Sequence, residues 1–102
     1  MPMEYLYDET ERPITRFVSF VTDSQRYDFA VTFTRKFQGS SLIVCIQTLK
    51  AVLLSASDVS ISSQWLEQLS IHPKDYSIVK QFFQNTLYPA YGELTQISSE
   101  DE

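Results

Sequence analysis

Residues 26–34 alternate along their whole length: Tyr27, Phe29, Val31 and Phe33 fall on one parity, Arg26, Asp28, Ala30, Thr32 and Thr34 on the other. Successive side chains of a strand point to opposite faces, so this pattern predicts a strand with one buried and one solvated face. The stretch before it, 14–22, is rich in β-branched and aromatic residues and begins just after Pro13. Its faces are mixed, with Phe17 and Val21 on one and Val18 and Phe20 on the other. Such a strand is normally central or covered twice. A third strand is predicted over 42–48, where Leu42, Ile43, Val44, Cys45 and Ile46 are all apolar, and a fourth over 50–55. The polar run Thr22-Asp23-Ser24-Gln25 reads as a turn, and 35–40, which contains Gly39, as a hairpin loop. Connections this short make neighbouring strands antiparallel.

After Ser57-Asp58 the period changes. Ser63 is placed to cap a short helix over 64–69, with Trp65, Leu66 and Leu69 as its apolar stripe. A second helix follows Pro73, which suits a first helical position, and Asp75, which suits the N-terminal dipole. Tyr76, Val79, Phe82, Phe83 and Leu87 recur at helical spacing until Pro89 stops the helix. His72 then falls at the N-cap, where a capping or surface role is the plain expectation. The expected fold is α+β: an antiparallel sheet of four or five strands followed by two C-terminal helices, the second packing through Val79, Phe82 and Phe83. Residues 1–92 form one domain, and 93–102 an acidic flexible tail in which Leu94 to Ile97 could pass for one more short strand.

Composition excludes more than it identifies. The chain has 102 residues, 43% of them hydrophobic, enough for a core and for a single domain. One Cys and one His leave no intrachain disulfide and no multi-Cys or His-based zinc site. Two glycines cannot build a phosphate-binding glycine-rich loop. No cofactor or metal is therefore expected. The N-terminal residues lack a basic segment followed by an apolar one, and the apolar runs are far shorter than the roughly 20 residues that span a bilayer. Together with Cys45 inside an apolar run, this predicts a cytoplasmic protein with no membrane role.

The net charge of −5 changes meaning once the charges are placed. Residues 1–11 carry Glu4, Asp8, Glu9 and Glu11 and no base, and 93–102 carry Glu93, Glu100, Asp101 and Glu102 and no base. All eight basic residues lie between them with only five acids, so the middle is +3.

Four blocks, Leu6-Tyr7-Asp8-Glu9-Thr10, Thr15-Arg16-Phe17-Val18-Ser19-Phe20, Arg26-Tyr27-Asp28-Phe29-Ala30 and Gln47-Thr48, resemble a small protein family of Firmicutes known only as a domain of unknown function. The resemblance runs from Tyr5 to Asn85 with the blocks in the same order and at similar spacing. It implies a compact cytosolic protein and brings no catalytic residues. The chain departs from the pattern at Leu49-Lys50, where a more turn-like pair is expected.

Three function classes follow. Catalysis is the weakest: Asp8, Glu9 and Glu11 cluster, but nothing at fixed spacing completes an acid–base or metal site, and a hydrolase would have to use His72 without a nucleophile-elbow sequence. A nucleic-acid binder is the leading nameable class. Arg16, Arg26, Arg35, Lys36 and Lys50, with Phe37, interleave cations and rings as sheets that bind single-stranded DNA or RNA require. That class requires the acidic ends to lie away from the Arg35-Lys36 hairpin. The third is a protein–protein interaction module, for which a homodimer is expected, because both faces of the Leu42 to Ile46 strand want cover and one helix pair covers only one.

Overall fold

A computed structural model describes residues 2–37 and 39–87. The elements are β1 (Ile14–Val21), β2 (Arg26–Phe33), a 3-10 turn (Arg35–Phe37), β3 (Ser41–Cys45), β4 (Lys50–Leu54), α1 (Ala56–Ile61), α2 (Gln64–Gln68), a second 3-10 turn (Pro73–Asp75) and α3 (Tyr76–Leu87). The strands form one antiparallel meander, β1-β2-β3-β4, so the architecture is the expected α+β. The expected strand around Leu94 lies outside the described residues.

Register decides what each face carries. Phe29 is level with Val18 on one side and Cys45 on the other, and Val31 with Arg16 and Ile43. The alternation of β2 therefore points Tyr27, Phe29, Val31 and Phe33 together with Ile43 and Cys45 toward the helices, where all are buried. Phe82 and Phe83 of α3 meet that face: the Phe83 ring centroid is 5.3 Å from Phe29, and the Phe82 centroid is 5.3 Å from Phe20. Trp65 of α2 closes the far side, 5.4 Å from Phe83, with its indole N–H donating to the Ser62 carbonyl at 2.8 Å. A buried indole without that acceptor would be destabilising. The three α-helices of the described residues all lie on this one face.

Three local differences from the sequence expectation have physical causes. First, α1 precedes the two expected helices. Its start is a reciprocal capping box: the Asp58 amide donates to Ser55 Oγ at 3.1 Å, and the Ser55 amide donates to Asp58 Oδ2 at 3.0 Å. The Ser-x-x-Asp signature was present at 55–58, but a six-residue helix shows too little period to be read. Second, Ser63 at the start of α2 makes no side-chain cap; Ser62 Oγ instead accepts from the Gln64 amide at 3.1 Å. Third, β3 ends at Cys45, and 46–49 form the turn to β4. The Leu49 amide closes it on the Cys45 carbonyl at 2.7 Å, with Leu49 at φ 58.

Leu49 thus occupies a left-handed conformation that L side chains enter at a cost of about 1–2 kcal/mol, and its side chain is 79% exposed, so little packing compensates. Leu49→Gly is expected to raise stability by roughly 0.5–1 kcal/mol, the strain relief being partly offset by glycine's larger unfolded-state entropy. Urea unfolding checks this; a lower midpoint for the glycine variant would mean that the Leu49 side chain holds a contact that matters.

Candidate functional site

Among the described residues, no helix covers the second face of the sheet. Register lines up Phe17, Ala30, Val44 and Ala51 as one row across all four strands, with Thr15, Thr32, Leu42 and Leu53 as the next. Phe17 is 74% exposed and Leu53 44%. Charge on this face is neutralised within the chain. Arg26 pairs with Asp28 at 3.0 Å, and Asp28 also accepts from the Ser19 hydroxyl and the Gln47 side-chain amide. Ser19 first, then Arg26, holds the Asp28 carboxyl below its ordinary range.

The six residues expected to meet nucleic acid separate into two groups. Arg35, Lys36 and Phe37 share the 3-10 turn beyond the end of β2, and Arg16 sits exposed on the neighbouring edge strand, on its helix-side face. Arg26 and Lys50 lie at the other end of the sheet, at the first residues of β2 and β4. Eight residues of β2 separate the ends, about 26 Å at the usual strand rise. Lys50 is also turned back toward the helices, its Nζ donating to Ser70 Oγ at 2.8 Å.

The acidic N-terminal segment lies against the first group. Residues 2–13 are exposed throughout and precede β1. Lys36 Nζ is 3.0 Å from Glu9 Oε1 and 3.8 Å from the centroid of the Tyr7 ring. Tyr7 first, then Glu9, keeps Lys36 in its charged form and raises its pKa. The buried hydroxyl of Thr34 donates to Glu11. Glu9, Glu11, Arg35 and Lys36 line a cleft of about 280 Å³. Sequence spacing gave no sign of this contact, because Glu9 and Lys36 are 27 residues apart.

A buried polar cluster joins the other end of the sheet to α3. Asp75, 3% exposed, accepts from the Tyr27 hydroxyl at 2.6 Å and from Thr22 Oγ1 at 2.9 Å, while the Tyr27 oxygen accepts from the His72 amide at 3.0 Å. His72 itself caps the second 3-10 turn, its Nδ1 accepting from the Lys74 amide at 3.1 Å, which is the capping role its position suggested. Burial raises the Asp75 pKa, but hydrogen bonds from Tyr27, Thr22 and Ser24 outweigh it and the carboxyl ends below its ordinary range. Burial first, then the hydrogen bond to Asp75, pushes Tyr27 from 10.0 up to about 12.

These shifts set the pH dependence of folding. A depressed carboxyl stabilises the fold above the ordinary carboxylate range and loses that contribution as pH falls through its folded value. A raised phenol stabilises below its unfolded value of 10.0 and loses the contribution as pH climbs toward about 12. The melting temperature is expected to be level between the carboxylate range and about pH 10 and to drop on both sides. Tyr27→Phe should flatten the alkaline limb and remove about 1–3 kcal/mol at neutral pH, since Asp75 and the His72 amide each lose a buried partner. An unchanged alkaline limb in that variant would exclude Tyr27 as its origin.

Among the described residues, no three His, Cys, Asp or Glu side chains come together as metal ligands, and no helix is long and apolar enough to cross a membrane. Cys45 is a buried free thiol. No curated protein matches the chain. A family model described as SAV0927-like, a small uncharacterised family named after a Staphylococcus aureus locus, matches residues 6–85. That span starts in the acidic segment, takes in the whole sheet and ends in α3, in close agreement with the resemblance seen from Tyr5 to Asn85, and the chain therefore belongs to the SAV0927-like family.

Proposed function

We propose that this protein is a non-enzymatic cytosolic binding module that works as a homodimer, two copies stacking their open sheet faces. The observation that carries the proposal is the apolar row Phe17, Ala30, Val44 and Ala51, flanked by Leu42 and Leu53, on a face that no helix of the described residues covers. Apolar patches of this kind mark interaction sites on soluble proteins. Three features favour a second copy as the occupant. A twofold contact brings like residues toward like, so it needs a face without net charge, and Arg26 and Asp28 already neutralise each other here. The row alternates bulk and hollow, so Phe17 of one copy fits over Ala30 or Ala51 of the other. The platform measures roughly 19 Å by 17–26 Å from strand spacing and length. With side-chain relief that approaches the small end of specific interfaces, about 600 Å² per partner, and implies a weak, concentration-dependent dimer.

Light scattering tests it. The expected mass is twice 11.8 kDa at high concentration, falling toward 11.8 kDa on dilution. A mass of 11.8 kDa throughout would overturn the proposal, and a dimer that survives a charge placed at Phe17 would move the interface elsewhere.

Single-stranded nucleic acid is a second reading, supported by one turn. Arg35, Lys36 and Phe37 set two cations beside a ring in one turn, and Arg16 lies on the neighbouring strand, level with Val31. Arg26 and Lys50, at the far end of the sheet, do not join that corner.

A further inference from the structure

The acidic segment ahead of β1 is held in an unusual way. Tyr7, Glu9 and Glu11 occupy alternate positions, and all three land on the residues 34–36. Yet every residue from 2 to 13 is exposed, so the segment is fixed by charge and hydrogen bonds, with almost no apolar burial to hold it. Contacts of that kind weaken as salt rises, because the screening length falls to about 8 Å at physiological ionic strength.

The receiving side is better organised than the segment it holds. Thr34 is 6% exposed, and its Oγ1 accepts from the Lys36 amide at 3.1 Å, which aims its proton outward at Glu11. Lys36 adds an ammonium group, and Arg35 lines the same cleft. Hydroxyl, ammonium and guanidinium groups converging on one cleft are what an anion needs, and here Glu9 and Glu11 supply the anions from within the chain.

We propose that the turn from Thr34 to Phe37 is an anion site occupied in cis by the acidic segment, and that its ligand in trans is single-stranded nucleic acid, admitted when that segment lifts. This rests on the second reading above. With the segment docked, Arg35 and Lys36 share their cleft with Glu9 and Glu11, and the cleft has little net attraction for a polyanion. With it lifted, the cleft loses its two glutamates and keeps the Lys36 ammonium and the Thr34 hydroxyl in the turn that carries Phe37, the pairing of charge and ring that single strands bind. For the N-terminal acidic segment, the condition that it lie away from the Arg35-Lys36 turn is then met by one movement, about Arg12 and Pro13, and needs no rearrangement of the sheet.

Fluorescence anisotropy with labelled single-stranded DNA and RNA of about 15 nucleotides tests this on the full chain. Three proteins are compared: the natural chain, Glu9→Gln with Glu11→Gln, and that pair with Lys36→Ala added. All three positions are exposed, so the variants retain the core. The paired Gln variant is expected to bind about tenfold tighter at about 50 mM salt, with the gain shrinking by about 200 mM, and Lys36→Ala is expected to reverse it. Equal affinity for the natural chain and the paired variant would overturn the masking while leaving nucleic-acid binding in place. No binding by any of the three would overturn both. A gain seen for a glutamate-rich peptide and not for the oligonucleotides would overturn the ligand class.

Discussion

Phe29→Ala is expected to remove about 3–5 kcal/mol of folding stability, the usual range for truncating a buried aromatic. Phe29 is fully buried in an internal strand and meets four rings: Tyr27 at 5.8 Å, Phe20 at 5.9 Å, Phe82 at 6.0 Å and Phe83 at 5.3 Å. Alanine would leave a cavity bounded by β2, β3 and α3, and the ring contacts that tie the helix layer to the sheet would go with it. A domain of this length has a total stability of about 5–15 kcal/mol, so the loss is a fifth or more of the whole. Urea unfolding should show a lower midpoint with an unchanged slope, the mark of a stability change without a change in the surface exposed. Phe17→Ala is the matched control. It removes the same side chain from the next strand, but from the open face, and should shift stability by about 0.5 kcal/mol or less. If Phe29→Ala behaves like Phe17→Ala, α3 does not pack on this face.

Phe17→Asp should have the opposite profile: a fold as stable as the natural chain and a dimer weakened by about 100-fold or more. At 74% exposure, Phe17 contributes little to the core of one chain. On a twofold interface the substitution appears twice, and each new carboxylate must be desolvated against an apolar row, the Arg26 of this face being already paired with Asp28. Around 3 kcal/mol in total corresponds to the 100-fold change. Sedimentation velocity across a concentration series reads the dimer, and thermal melting at one low concentration reads the fold. Loss of the fold in Phe17→Asp would mean that the open face belongs to the core of the single chain. A dimer of natural strength would exclude this face as the interface.

Much of the sheet was legible because strand alternation reports burial directly. The clean parity of 26–34 named Tyr27, Phe29, Val31 and Phe33 as core, and each is buried. The mixed parity of 14–22 pointed to a central or doubly covered strand, but β1 is an edge strand with Phe17 and Val21 each 74% exposed, because apolar side chains on both faces do not say how many neighbours a strand has. The unbroken apolar run from Leu42 to Ile46 did imply two apolar faces, only one of which the helices could cover. The helix after Pro73 was equally plain, since Val79, Phe83 and Leu87 are buried at the spacing the pattern required. The short α1 escaped because six residues carry less than two turns of period. The strand end at Cys45 escaped because Ile46, although apolar, begins a turn, and hydropathy does not distinguish the two.

The candidate sites divide along the same line. Residue types and their order determined that one Cys, one His and two Gly build no disulfide, no multi-Cys or His-based zinc site and no glycine-rich phosphate loop, that all the bases lie in the middle and eight of the thirteen acids at the ends, and that the sheet carries apolar residues on both sides. Those are properties of composition and of period, which any single stretch of chain carries by itself. Tertiary structure alone decided which bases meet. Register set Arg26 and Lys50 at one end of β2 and Arg35 and Lys36 at the other, and it drew Glu9 and Glu11 onto Lys36 and Thr34. It also joined Tyr27 to Asp75, 48 residues away. Pairings of that kind depend on how strands align and how a segment folds back, and the free energy that selects them is shared over the whole core, so no local pattern records it.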